Sequence, residues 1–218
     1  PKHWWARLAR RRNEAWLRSI VEQIRVGQFQ PPEGTAAFIV ANHRDLNGEL
    51  LESQIAAVEL NNILRPTVAV SAYLVQCAHA IFMYPECRQP LQNRDADYAD
   101  WFVQEVRRFY PFFPFAGAKV RKDFEWQGYK FPADRKVLLD LYGTNHDERA
   151  WNDPQTFRPE RFRNWDGNPF TLIPQGGGDH YQNHRCPGEW IAMEQMKAAV
   201  DVFVNQCEYD LPEQDLAI

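Results

Sequence analysis

The stretch richest in groups that could do chemistry is Pro174-Gln-Gly-Gly-Gly-Asp-His-Tyr-Gln-Asn-His-Arg-Cys186-Pro-Gly-Glu189. Its three glycines permit positive φ and close approach of the backbone to something flat or large. Cys186 follows them at a predicted helix start, where backbone N–H groups and the helix dipole stabilise a thiolate. A thiolate so placed can ligate a metal. Spacing alone leaves three readings: His180, His184 and Cys186 as zinc ligands in a His-x3-His-x-Cys pattern; Cys186 as the single axial ligand of a haem, with His184 available to a propionate; or a structural cysteine with no ligand.

Two other places carry informative charge. Glu105 and Arg108 stand at i and i+3 on one helix face and can pair directly, and Arg161 in Pro159-Glu-Arg-Phe162 lies in a loop able to join them. Taken singly, each is an ordinary ion pair. Between Gln54 and Pro85 the only formal charges are Glu59 and Arg65, too far apart along a helix to face each other. A buried guanidinium without a partner is costly, and a bound carboxylate would complete it with bidentate geometry. Pro66 removes a helical hydrogen bond and opens space beside it. The alternative is an Arg65 satisfied by Asn61, Asn62 or a residue outside this chain.

These residues need a scaffold, and the 218 residues, 44% apolar and 14% aromatic, suffice for a globular core. That composition excludes disorder, collagen-like repeats and a disulfide mini-protein. Four cysteines at 77, 87, 186 and 207 form no CxxC pair, and no signal-like start precedes them, so the chain reads as cytoplasmic. It opens without Met and stops after a strand-like Cys207-Glu-Tyr-Asp210, as a piece of something longer would.

The net charge of −4 is uneven, with seven basic and two acidic side chains in residues 1–25. Trp5, Leu8, Ala9, Ala15, Trp16, Ile20 and Ile24 follow helical spacing there, which predicts a surface helix with one buried stripe and a solvated basic face rather than a nucleic-acid or membrane binder. Pro31-Pro-Glu-Gly34 ends it, and a short helix or turn runs to Asn42. A Gly-free apolar run predicts one long central helix over about 49–83. Its last part, Pro66 to Met83, lacks formal charge, but Thr67, Ser71, Gln76 and His79 argue for a buried helix over a membrane span. Beyond Pro85 and Pro90 an amphipathic helix is predicted over about 98–110, ended by Pro111. A small sheet follows over about 117–140, with alternation around Gly128 and Pro132. The 44 residues from Tyr142 to Arg185 have no sustained period, a length that usually signals function. The loop 174–187 then leads to a last helix over about 188–206, with Ile191, Met193, Met196, Val200 and Phe203 as its apolar positions.

The order of long central helix, Glu105-x-x-Arg108, small sheet, Pro159-Glu-Arg-Phe162 and Gly-rich Cys loop resembles the C-terminal half of a cytochrome P450, over nearly the whole chain. The resemblance implies a mainly α fold with a small β-sheet, residues 1–218 being a single partial domain. It also implies haem b with Cys186 as the thiolate ligand to iron, His184 and Gln175 beside the cofactor, and Glu105, Arg108 and Arg161 as a structural triad behind it.

The departures narrow the match. Asn62-Ile-Leu-Arg65-Pro66-Thr67 stands where most members carry an acid–alcohol pair, and Gln175 stands for the usual Phe of a Cys loop that is also lengthened. With Phe102-Val-Gln-Glu-Val-Arg-Arg-Phe-Tyr-Pro111 and Leu139-Asp-Leu-Tyr-Gly-Thr-Asn-His-Asp147, these features resemble the bacterial fatty-acid peroxygenase branch, which hydroxylates or in some members decarboxylates fatty acids with hydrogen peroxide. The resemblance therefore implies a fatty acid and hydrogen peroxide as substrates, Arg65 and Pro66 as catalytic-site residues, and oxidation at Cα or Cβ. It implies no obligatory redox partner, no nucleic acid and no membrane span. A member of this branch has about twice this length, with helices over the distal haem face ahead of Pro1 and a hairpin after Ile218. Rival readings are a reductase-dependent monooxygenase, a non-catalytic haem-thiolate protein and a zinc-binding module.

Overall fold

The computed structural model describes residues 2–213, which divide between Ala69 and Val70 into two compact units. Each closes its own apolar core.

The first unit holds α1 (Lys2–Arg25), α2 (Ala36–Asn42) and α3 (Ser53–Ala69). Leu17, Val21 and Ile24 of α1 pack with Ala41, Ala56, Ala57 and Leu60. This stripe is rotated from the expected one, and Trp5 and Trp16 are exposed. Polar anchors fix the rotation: Asn13 Nδ2 donates to Asn61 Oδ1 (2.7 Å), and Gln54 Nε2 to Glu14 Oε2 (3.2 Å). At the far end of α1, Arg25 donates to the carbonyls of Ala41 (2.8 Å) and Leu51 (2.7 Å), tying α1 to the last turn of α2 and to the stretch just before α3. The side chains of Arg7, Arg11, Arg12 and Arg18 face outward, the expected basic surface.

The long central helix starts at Ser53 rather than about residue 49, because Leu50 bridges to Arg44 in an antiparallel turn. Pro66 sits inside α3 and takes one N–H out of the ladder. The helix assignment lapses at Val70, and α4 (Ser71–Met83) begins the second unit. Ser53–Met83 is, among the described residues, the one run long and apolar enough to cross a membrane; its buried positions pack in the protein cores on either side of Val70.

The second unit continues with a 3-10 turn (Pro85–Cys87), α5 (Arg88–Gln92) and α6 (Ala96–Phe109), then α7 (Leu141–Asn145), a 3-10 turn (Pro159–Phe162) and α8 (Glu189–Asn205). Asp95 caps α6 by accepting the Tyr98 N–H (3.0 Å), and Tyr110-Pro111 ends it. Tyr73, Cys77, Phe102, Val106, Met196 and Val200 form the core between α4, α6 and α8. Phe157 extends it into the long loop, stacked on Tyr84 at 4.4 Å. The predicted small sheet is two nested antiparallel pairs: β1 (Phe115–Lys119) with β4 (Lys136–Asp140), and β2 (Phe124–Trp126) with β3 (Tyr129–Phe131). Gln127 and Gly128, both at positive φ, make the two-residue turn.

In α8 the buried line is Glu189, Ala192, Met196, Val200 and Val204, whereas Ile191 is exposed. The expected strand at 207–210 is absent: Tyr209 turns its hydroxyl to the Ala78 carbonyl (2.8 Å) instead of entering a sheet.

Candidate functional site

Helix α6 positions two buried ionic clusters. On one side Arg108 is wholly buried and grips Glu105 through both terminal atoms, Nε to Oε2 at 2.7 Å and Nη2 to Oε1 at 2.8 Å. Arg161 reaches the same carboxylate at 3.1 Å, and the Arg158 backbone N–H donates to it at 2.8 Å. The remaining guanidinium protons go to backbone carbonyls: Arg108 to Asn145 (3.0 Å) and Pro154 (2.9 Å), Arg161 to Asn152 (2.7 Å) and Thr156 (2.8 Å). The three residues expected to pair do so, and together they give shape to the long loop that has no periodicity of its own.

The Gly-rich loop folds on itself. Gly176 lies at φ +92, and a Cβ there would fall 1.9 Å from the His184 carbonyl oxygen; Gly178, at φ +84, is pressed against Asn183. These glycines let the loop close as a tight return. Closure places the Cys186 N–H on the Gln175 carbonyl (3.0 Å), and the Glu189 N–H, first of α8, on the Cys186 carbonyl (3.3 Å). Cys186 is half-buried at the head of a 17-residue helix. Cys77 and Cys87 are buried, and burial pushes both thiols up, Cys87 to about 11, which makes them poor thiolates.

A family model for cytochrome P450 matches residues 91–217. The chain belongs to the cytochrome P450 family. Among solved P450 structures, cytochrome P450SP alpha (CYP152B1) in complex with (R)-ibuprophen is 55% identical with a TM-score of 0.87, covering 100% of this chain and 53% of that one. Cytochrome P450EX alpha (CYP152N1) with myristic acid is 45% identical (TM-score 0.86, 100% and 53%). A variant of cytochrome P450 OleT in complex with arachidonic acid is 44% identical (TM-score 0.87, 100% and 51%). Among curated proteins, melianol synthase CYP71BQ5 of Melia azedarach is 32% identical over 123 residues, 55% of this chain and 24% of that protein. The chain thus spans about half the length of its solved relatives, and the stretch matched is about a quarter of the curated one.

A P450 carries haem on a cysteine thiolate. The residues here fit such a group: a half-buried thiol at a helix head, on a loop held shut by glycines that tolerate no Cβ. The wholly buried Tyr73 hydroxyl lies in the same interior, within reach of the Arg107 guanidinium. Burial pushes that hydroxyl upward, and the charges of Arg107, Glu189 and Cys186 act on it as well. The zinc reading fails on geometry. Among the described residues no three His, Cys, Asp or Glu side chains converge as metal ligands. His180 instead meets Glu189 Oε2 (2.9 Å) and stacks on Trp190 at 4.0 Å, while His184 is exposed.

The second cluster on α6 escaped the reading of the sequence. Arg107, also wholly buried, donates through Nε to Gln175 Oε1 (3.2 Å) and pairs with the Glu189 carboxylate, which Arg185 holds from the other side (Nε to Oε2, 2.6 Å). Burial pushes the Glu189 carboxyl up, but the Arg185 hydrogen bond and the Arg107 charge outweigh it and hold it at about 2. One signal was available. Arg107 stands four residues after Val103, and Glu189 three before Ala192, so each lies on the apolar stripe of its helix, where a charge needs a partner.

Arg65 lies in the other unit, on α3, and is exposed rather than buried: α3 turns Ala56, Ala57, Leu60 and Asn61 inward, and residues 62–68 outward. Asn61, one of its possible partners, is taken by Asn13. No hydrogen bond or ion pair to Arg65 is formed among the described residues. Pro66, next to it, is likewise exposed.

Proposed function

We propose that this chain is the C-terminal half of a haem-thiolate peroxygenase that oxidises long-chain fatty acids at Cα or Cβ with hydrogen peroxide, working in the cytoplasm without an obligatory redox partner. Cys186 would hold the haem iron through its thiolate, with Gln175 and His184 near the cofactor and His184 available to a propionate. The observation that carries the reading is Arg65: a guanidinium on an apolar helix, beside a proline, with no partner among the described residues of its own unit. Relatives solved with myristic and arachidonic acids support a carboxylate as that partner.

Haem bound through a thiolate supplies the oxidising chemistry when peroxide is cleaved. Arg65 holds the substrate carboxylate by a charge-assisted, bidentate contact. Pro66 leaves the acid–alcohol position of the helix without a proton donor, so the carboxylate oxygens of the substrate carry the proton taken from peroxide and return it, a general acid–base role. Anchoring at the carboxylate fixes which carbons approach the reacting centre, and these are the first two of the chain.

In the full-length haem-loaded protein, Arg65→Ala is expected to lose fatty-acid binding and peroxide-driven turnover together. The loss should be about two to three decades in rate, as removing a charge-assisted pair costs ~2–5 kcal/mol. A contact that served affinity alone would raise KM and spare kcat, and that result would remove Arg65 from the chemistry.

A further inference from the structure

Arg107 heads the wholly buried side chains by size, and the chemistry above gives it no task. A buried ion pair is a poor stabiliser, since loss of hydration offsets the attraction. What it does supply is a fixed field in a region of low dielectric.

Both ends of the Arg107–Glu189 pair connect to Cys186. From Arg107 the path runs through the Gln175 side chain, whose residue accepts the Cys186 N–H on its own carbonyl. From Glu189 it runs through the backbone, as the Glu189 N–H reaches the Cys186 carbonyl. Gln104 and Met193 Sδ (3.3 Å) also hold the Arg107 guanidinium in place. Around the single Glu189 carboxylate stand two guanidinium groups and the His180 ring.

We propose that Arg107 and Glu189 are positioning residues that hold the Cys186 loop in register between α6 and α8 and set the reduction potential of the haem its thiolate carries. The inference rests on Cys186 being the axial ligand, as read above. Outer-shell charges and hydrogen bonds act on a metal by this route. A cation behind the thiolate weakens its donation and favours the reduced state, and the carboxylate opposes that.

The two charges must therefore act with opposite sign, which a merely structural role would not produce. In the full-length haem-loaded protein, spectroelectrochemical titration of Glu189→Gln should move the potential positive, and that of Arg107→Met should move it negative. Arg107→Lys, which keeps the charge, should stay near wild type. All three should retain the thiolate-type absorption of the reduced CO complex. Shifts of the same sign in Glu189→Gln and Arg107→Met, or none in either, with that absorption intact, overturn the inference. Should those two variants shed haem, Gln175→Glu adds a carboxylate against Arg107 at a half-exposed site and is expected to lower the potential; an unchanged potential there overturns it equally. A wild-type protein lacking the thiolate absorption would instead overturn the assignment of Cys186 and leave this inference without its premise.

Discussion

The two faces of α6 solve the same problem, a buried arginine, in different ways. Around Glu105 every donor of Arg108 ends on a carboxylate oxygen or on a backbone carbonyl at the end of α7 or in the loop that follows it, so the cluster is fastened to main chain. Around Glu189 the partners of Arg107 are side chains, those of Gln104, Gln175, Met193 and Glu189. A cluster tied to main chain gives an irregular loop its shape. One tied to side chains can be altered without unravelling a loop, which suits a tuning role. The difference lies in what each arginine leaves behind: Glu105 keeps Arg161 and Glu189 keeps Arg185, but without Arg108 the carbonyls of Asn145 and Pro154 lose their donor, whereas the partners of Arg107 are side chains.

The largest effect should therefore come from the first cluster. Arg108→Ala leaves Glu105 buried with one cationic partner and frees two carbonyls, and a loss of ~3–5 kcal/mol is expected in denaturant unfolding, with haem-depleted protein. A well-folded Arg108→Ala protein with normal haem content would break the comparison. Arg107→Met should cost less, about 1–3 kcal/mol by the same measurement, because it leaves no backbone carbonyl without its donor. Equal losses for the two would show that main-chain and side-chain fastening do not differ.

The smallest effect concerns pH at the rim of the Glu105 cluster. Burial lowers the pKa of His146, which packs on Phe109, accepts no partner at Nε2 and lies near the Arg108 and Arg161 charges. The unfolded chain thus binds this proton more readily than the folded one. The stability contributed by a neutral His146 is present above about pH 6.5 and is lost as pH falls below it. Thermal unfolding of His146→Phe should show a flatter stability profile between pH 7 and pH 5 than wild type, and parallel profiles would exclude His146 as its source.

Much of this arrangement was legible in the sequence wherever partners sit within one helix or at a fold-wide motif. Glu105 and Arg108 share a helix face, and α6 came within two residues of its expected ends. The pairing of Arg107 with Glu189 spans 82 residues and depends on how α6 and α8 pack, which periodicity does not encode. The buried stripes of α1 and α8 were expected on a neighbouring face. In α1 the large Trp5 and Trp16 weighted that expectation, whereas Asn13 and Glu14 decide the rotation by bonding to α3. The glycines of the Cys loop were legible as positive-φ positions; that they pack against His184 and Asn183 was not, since it takes the loop's own return to bring those residues near.

The proposed peroxygenase reaction requires the substrate carboxylate to act as both anchor and proton carrier. Peroxide-driven oxidation of a long-chain fatty acid and of its methyl ester, by the purified full-length protein at saturation and without a reductase, tests that most directly. Turnover of the acid should proceed while the ester is oxidised at least two decades more slowly, in line with loss of a charge-assisted contact of ~2–5 kcal/mol. Ester and acid oxidised at equal rates, or no turnover until a reductase is added, would contradict it.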